Sequence, residues 1–403
     1  MQGQVSPGPW RAAGSWLVVL AAAAVALALT GYRARDPDSR LYAEISARMS
    51  QAPAARWIAP EFPPGWYMGG LFREHPVGLF VPAAGLAALG YPVEQAAYVT
   101  NAIYQVLGIV LLQRLAASLV SGLESRSLAW LIQLLPIAFT FRIRANHEAA
   151  MLLCLLAALY GTQRTLEGRG LAALAIGGCV GLLLVKGILA VFGPLLCALW
   201  LVTRGARFTT RGERAAWLTL AASVASMAAA GVVYELAYRQ ATGEPFWSFY
   251  LARQLGVAAA AGDGASVLGA RLYTLEWYLA RLVWFAFPWS LALLLALSRA
   301  RGRSGEPRDE AARQGALFAA LAAAAYVLAF SLSDRRADRY IFPAYYAVGA
   351  AGAVAALRSL PGLRRVAERL DRPWLPAAVW AATFAAHLLA GRLGLPTIKI
   401  WAG

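Results

Sequence analysis

Residues 76–90 read PVGLFVPAAGLAALG and are followed by Tyr91-Pro92. The run is apolar but well short of the ~20 residues that cross a bilayer. It also carries Pro76 and Pro82, which interrupt helix hydrogen bonding. It is therefore read as a helix lying in the outer interface, not as a span. This reading decides the fold, because one more span here would invert the side on which every later turn falls.

Outward from it, apolar runs long enough to cross a membrane lie at 14–32, 95–120, 127–143, 149–163, 171–186, 187–203, 215–234, 278–298, 315–333, 340–357 and 374–391, eleven in all. The composition agrees. The chain has 403 residues, 60% apolar and 14% charged, against ~45–50% and ~25% for a soluble domain. A soluble enzyme, a disordered chain and a nucleic-acid module are excluded. The run from Trp16 to Leu29 could pass for a signal peptide, but Gly31-Tyr32-Arg33-Ala34-Arg35 follows it in place of a small-residue cleavage site. Cys154, Cys179 and Cys197 sit inside apolar runs and read as small buried residues, not as a disulfide or metal set.

The formal charge of +16 tests the threading. With the N-terminus inside, short inside loops hold Arg114 and Arg126, Arg164 and Arg169, Arg204 to Arg214, Arg299 to Arg313 and Arg358 to Arg372. Basic turns at alternate connections are what the positive-inside rule demands. The expectation is an all-α polytopic membrane protein of about eleven helices, one domain over 1–403 with no soluble C-terminal domain. Two long segments, 33–94 and 235–277, face outside.

Five polar features then fall on that outer face. Asp38 precedes a helical pattern with Leu41, Ile45 and Met49 on one side, and reads either as the helix N-cap or as a membrane-surface catalytic acid. Arg73-Glu74-His75 is a phosphate or metal site, or a solvated turn. Arg142, Arg144, His147 and Glu148 sit between two apolar helices with almost no connector. Lys186 is flanked by apolar residues and is either a functional cation or a snorkelling anchor. Asp334 to Arg339 places Arg335, Arg336 and Arg339 outside, against the positive-inside trend, either for an anionic ligand or for pairing with Asp334 and Asp338. Carboxylates and cations converging at outer helix ends are the inventory for a reaction between an anionic lipid-phosphate donor and a hydroxyl acceptor.

These residues resemble a known family. Asp38-x3-Tyr42-Ala43-Glu44-Ile45-Ser46-x2-Met49, followed by Trp57-Ile58-x-Pro60, is similar to the first periplasmic loop of the bacterial lipid A aminoarabinose transferases. The wider resemblance is to the protein O-mannosyltransferase-like, GT-C class of polyprenyl-phosphate-sugar glycosyltransferases. Phe72-x-Glu74-His75-Pro76 resembles the family's Phe-Glu-Lys-Pro, with His in place of Lys and one residue inserted. Leu184-Val185-Lys186-Gly187 is similar to its Leu-Thr-Lys-Gly turn, and Arg339-Tyr340-x2-Pro343 to its Arg-Tyr-x-x-Pro. The match runs in order over roughly 15–345.

The resemblance implies an inverting sugar transfer at the outer face of a bacterial inner membrane, from a polyprenyl-phosphate donor to a lipid, glycan or protein hydroxyl. It implies Asp38 as the catalytic base, with Glu148 (or its neighbour His147) as the second catalytic position. Donor-phosphate contacts fall to His75, Lys186, Arg142, Arg144, Arg335 and Arg339. Glu74 and His147 are left as metal or substrate contacts. A divalent metal stays an open cofactor, because the stretch from Pro245 to Gln254 lacks the histidine that many relatives carry. That aromatic stretch reads as an interfacial helix or a plain surface anchor, and Gly256–Gly264 as a lid. His387 is assigned to packing. A transporter or lipid-linked-sugar flippase is the competing class. It should place ionisable groups near mid-membrane on broken helices, whereas here they gather at one face.

Overall fold

The computed structural model describes residues 36–66, 69–142, 144–256, 264–299, 307–333 and 336–371. The expected spans at 14–32 and 374–391, His387, Arg335, and all of the expected lid but its end residues lie outside the described residues. What is described is helical, with one isolated antiparallel bridge between Glu61 and Leu71 in place of any strand. Six helices are long and apolar enough to cross a membrane, or seven if one bent pair counts as a span.

The chain opens with α1 (Pro37–Gln51), α2 (Phe80–Ala88) and α3 (Val93–Ala116). α2 and the 3-10 turn before it, Val77–Leu79, form a short apolar segment, as the prolines require. Its Phe80 and Ala84 are fully buried in one cluster with Tyr42 and Ile45 of α1. The next expected span, 127–143, is broken. α4 (Gly122–Leu131) leads into a 3-10 turn and then α5 (Pro136–Arg142). Pro136 is the physical reason: it has no N–H to donate and drives Leu135 to an extended backbone, ψ 128°.

α6 (His147–Leu166) and α7 (Ala172–Lys186) pack at the bundle centre. Glycines set their spacing. A Cβ on Gly161 would stand 2.4 Å from Ala175 N, and one on Gly178 2.5 Å from Ala158 N. Such small-residue contacts bring helix backbones together where lipid supplies no hydrophobic drive. After Lys186 the chain turns through 3-10 residues Gly187–Val191 into α8 (Phe192–Thr203). It doubles back there, since a Cβ on Gly193 would lie 3.2 Å from Cys179 Sγ. Trp200 Nε1 accordingly donates to Gln163 Oε1 (2.8 Å) at the far end of α6. The three cysteines are free thiols.

α9 (Arg211–Thr242) extends well past the expected 215–234. Its apolar window is 17% buried against 72% for α6, so α6 is central and α9 faces lipid. The segment 235–277 is largely helical: α10 (Trp247–Gly256) and α11 (Gly264–Phe285) occupy it. α11 meets α12 (Trp289–Arg299) at a bend of 102°, so the expected straight span 278–298 is replaced by a corner. Pro288 at the corner has no N–H for helix bonding. α13 (Pro307–Ser331), α14 (Phe342–Ser359) and the amphipathic α15 (Pro361–Leu370) are the remaining helices among the described residues.

The two ends differ in chemistry. One gathers Asp38, Glu148, Lys186 and Arg339. At the other, Arg358 grips Glu124 (2.8 and 3.1 Å) and Arg126 grips Asp371 (2.6 and 2.5 Å). Such bidentate guanidinium–carboxylate contacts fix α4 against α14 and the end of α15.

Candidate active site

Asp38 is not the cap of α1. Asp36 has the extended backbone of a cap (ψ 146°), and its side chain accepts from Ser39 N at 3.0 Å. Pro37, with φ preset and no N–H, suits the first helical position and places the cap at Asp36, two residues earlier than expected. Asp38 is thereby released. Its Oδ2 meets the Arg339 guanidinium in an ion pair that joins positions 301 residues apart. Arg339 lies in the 3-10 turn Asp338–Ile341 that starts the last central helix. Of the two readings of 334–339, local pairing is not what holds Asp338, which accepts from Arg281 Nε (3.1 Å); Asp334 lies outside the described residues.

Two buried groups stand at the N-terminus of α6. His147 is 1% exposed and Glu148 2% exposed. Their Nε2 and Oε2 atoms are buried without a hydrogen-bond partner. Lys186 ends α7 and is 7% exposed, which rules out a snorkelling anchor. Its turn is closed by Tyr250, whose hydroxyl donates to Lys186 O (3.1 Å) and accepts from Ile188 N (3.1 Å). Gly187 takes φ +59° there, a backbone only glycine adopts readily. Lys186 makes no ion pair among the described residues, although Glu148 acts on it through space.

The Arg73-Glu74-His75 triplet separates. Arg73 pairs with Glu244 and stacks 4.6 Å over Phe249. Glu74 Oε1 accepts from Arg253 at 2.5 Å. Only His75 turns to the cluster, 4.1 Å ring to ring from His147, with Tyr42 packed 4.5 Å from His147. Burial first, then the cations of Lys186 and Arg339, hold His75 well below the ordinary histidine range. The shift disfavours the cationic form on which a charged phosphate contact from His75 would draw. Burial, then Asp38, raises the Tyr42 phenol well above its usual value.

Arg144 lies 3.8 Å from Asp36 and over the Phe141 ring, beside the cluster but not in it. Arg142 closes α5. Of the aromatic stretch, Phe246 and Tyr250 are 0% and 1% exposed against Tyr234 and Tyr238. Tyr250 stacks on Phe246 and closes the Lys186 turn, so these two are core residues and not a surface anchor.

The donor set does not fit a metal on Glu74. That carboxylate is committed to Arg253, and no group of three or more His, Cys, Asp or Glu converges among the described residues. The two histidines meet edge to face instead. The site thus offers one carboxylate in water's reach, Asp38, two cations, Lys186 and Arg339, and a buried acid, Glu148. Beneath it, a cavity of about 120 Å³ runs from Pro343 and Tyr346 past Leu156 toward Leu119 and Gly315, lined almost wholly by apolar side chains.

Sequence reading missed four residues. Asn101 and Gln105 of α3 donate to Phe141 O (3.3 and 3.1 Å), and Asn101 also to Arg144 O (2.5 Å). Their signal was available, since amides inside an apolar span seldom lack a partner to hold. Tyr250 and Arg253 carried none.

No protein-family model matches the chain, and no curated protein matches it. The fold does match solved structures. One is the crystal structure of ArnT from Cupriavidus metallidurans bound to undecaprenyl phosphate, with TM-score 0.66 and 19% identity over 96% of this chain and 66% of that one. The apo crystal structure of the same protein gives TM-score 0.64 and 19% identity over 97% and 67%. This chain therefore has the ArnT-like polytopic fold and spans about two thirds of that protein's length.

Proposed function

We propose that the chain is a GT-C-type glycosyltransferase that moves a sugar from a polyprenyl phosphate to a hydroxyl acceptor, with inversion. The observation that carries the reading is the meeting of Asp38 with Arg339 beside buried Lys186 and Glu148, drawn from four separate segments to one end of an ArnT-like bundle.

The chemistry follows from the groups. The acceptor oxygen attacks the sugar C1 as the C1–O bond to phosphate breaks, and the phosphate leaves with that electron pair. The acceptor proton passes to Asp38, whose Oδ1 accepts no hydrogen bond among the described residues while Oδ2 is held by Arg339. Lys186 and Arg339 meet the negative charge that grows on the leaving phosphate, in surroundings that screen it little. Glu148 balances these cations when no phosphate is bound. The apolar cavity below the pair has the lining an isoprenoid chain requires. ArnT itself was crystallised with undecaprenyl phosphate, which supports a donor of that class. The cluster end would face the periplasm of a bacterial inner membrane, and the basic end the cytoplasm.

Purified protein in lipid nanodiscs, given polyprenyl-phosphate sugars and envelope lipids, tests this. Wild type should form product, and Asp38→Asn should bind donor yet transfer nothing. Wild-type turnover by Asp38→Asn would remove Asp38 from the mechanism. Mass spectrometry of envelope glycolipids and glycoproteins with and without the gene would identify sugar and acceptor.

A further inference from the structure

A small cavity with mainly apolar walls and a few polar side chains lies behind the cluster, between α1, α2, α3 and the turn that starts α6. It is lined by Tyr42, Ser46, Thr100, Asn101 and Asn146 among apolar neighbours, and its volume is about 10 Å³. That is about one water. Two of its lining residues carry complementary unpartnered atoms. Asn101 Oδ1 is an acceptor and Asn146 Nδ2 a donor, each buried without a protein partner. Both residues are almost wholly buried, at 4% and 3% exposed.

Their other atoms are committed. Asn101 Nδ2 holds Phe141 O and Arg144 O. Asn146 Oδ1 accepts from Ser39 Oγ (3.5 Å), which in turn accepts from Ala145 N (3.1 Å). Asn146 occupies the N-cap position of α6 but does not cap it. Asn is a good capping residue, and its side chain is turned instead toward the residue next to Asp38.

We propose that Asn101 and Asn146, bridged by one buried water, are positioning residues that fix the start of α6, and with it Glu148, against Asp38. The water accepts from Asn146 Nδ2 and donates to Asn101 Oδ1. Its second proton goes to a lone pair of Thr100 or Ser46, whose hydroxyls donate to helix carbonyls (2.8 and 2.9 Å) and keep acceptor capacity. The network crosses from α3 through the turn to α1, so both acidic positions are set by one clamp. A displacement of about 1 Å at reacting groups costs on the order of 10²-fold in rate.

This rests on the transferase reading, and the test separates the two. In Asn146→Ser a serine caps α6 well but cannot reach the water, so the melting temperature should hold. The rate kcat should fall at least tenfold, with the KM for polyprenyl-phosphate sugar within twofold of wild type. Asn101→Asp, which keeps the water's acceptor but not the donor to Arg144 O, should fall as far. Unchanged kcat in a stably folded Asn146→Ser protein overturns the proposal, since a merely structural residue would behave so. If wild type transfers no sugar, the transferase reading has failed. The clamp is then judged by a high-resolution cryo-EM map: density within hydrogen-bond reach of both amides supports it, and a dry cavity overturns it.

Discussion

Gly187→Ala is the sharpest probe of how the site is held. Gly187 sits at φ +59°, ψ −122°, directly after Lys186. A Cβ there would lie 2.4 Å from Tyr250 Oη and 2.5 Å from Cζ, so the ring must leave. Backbone strain for a side chain in such a region is about 1–3 kcal/mol. Moving Tyr250 also forfeits its bonds to Lys186 O and Ile188 N, at about 0.5–1.5 kcal/mol each. The turn should therefore lose about 2–6 kcal/mol by summing these ranges, and the least strained escape is to shift Lys186. Thermal unfolding and titration with polyprenyl phosphate read this out. A clear fall in melting temperature is expected, with donor affinity at least tenfold weaker. The double variant Gly187→Ala/Tyr250→Ala should be less harmful than the sum of its parts by about 1–3 kcal/mol, because the clash is then gone and only backbone strain remains. Strict additivity would remove the steric half of the reasoning. Unchanged stability together with unchanged affinity would refute all of it.

Two further outcomes are expected. His75 has a folded-state pKa below its unfolded value of ~6.5, so its contribution is complete above that pH and is lost as pH falls toward the folded value, by about 1.4 kcal/mol per pH unit. Thermal melts between pH 7.5 and 5 should show this slope, and His75→Gln should reduce it; an equal slope in the variant would place the acid sensitivity elsewhere. At the opposite end, burial would raise the Glu124 carboxyl, but Arg358 and Ser121 hold it below the usual range. Arg358→Ala leaves that carboxylate buried without its cation, and should cost about 3 kcal/mol at neutral pH, less as pH falls and the raised carboxyl of the variant protonates. A melting temperature indistinguishable from wild type at neutral pH would show the pair to be dispensable.

Much of the architecture was legible in the order of residues. Hydropathy marks the helices because a bilayer demands long apolar segments, and charge marks the two ends because arginines cross it reluctantly. Where hydropathy misled, a local rule had been outvoted. Pro136 broke an apolar run that looked continuous, and α11 turned a corner into α12 inside another. Asp38 looked like a cap because Asp36-Pro37-Asp38 offers two capping carboxylates, and only the backbone shows which one is used.

Sequence by itself determined the helical membrane class, the short α2, the polar end of the bundle and the presence of Asp38, Glu148, Lys186 and Arg339 in it. Tertiary structure alone decided which of those charges meet. Arg339 reaches Asp38 across 301 positions, while Glu74, next to His75 in the chain, is drawn away by Arg253. It also decided that burial lowers the pKa of His75 and that Asn101, within the apolar α3, holds Phe141 O and Arg144 O just before α6. Periodicity and charge are properties of neighbours along the chain, so a sequence displays them. Partner choice and desolvation depend on which helix ends are brought together, and that is fixed only when the bundle packs.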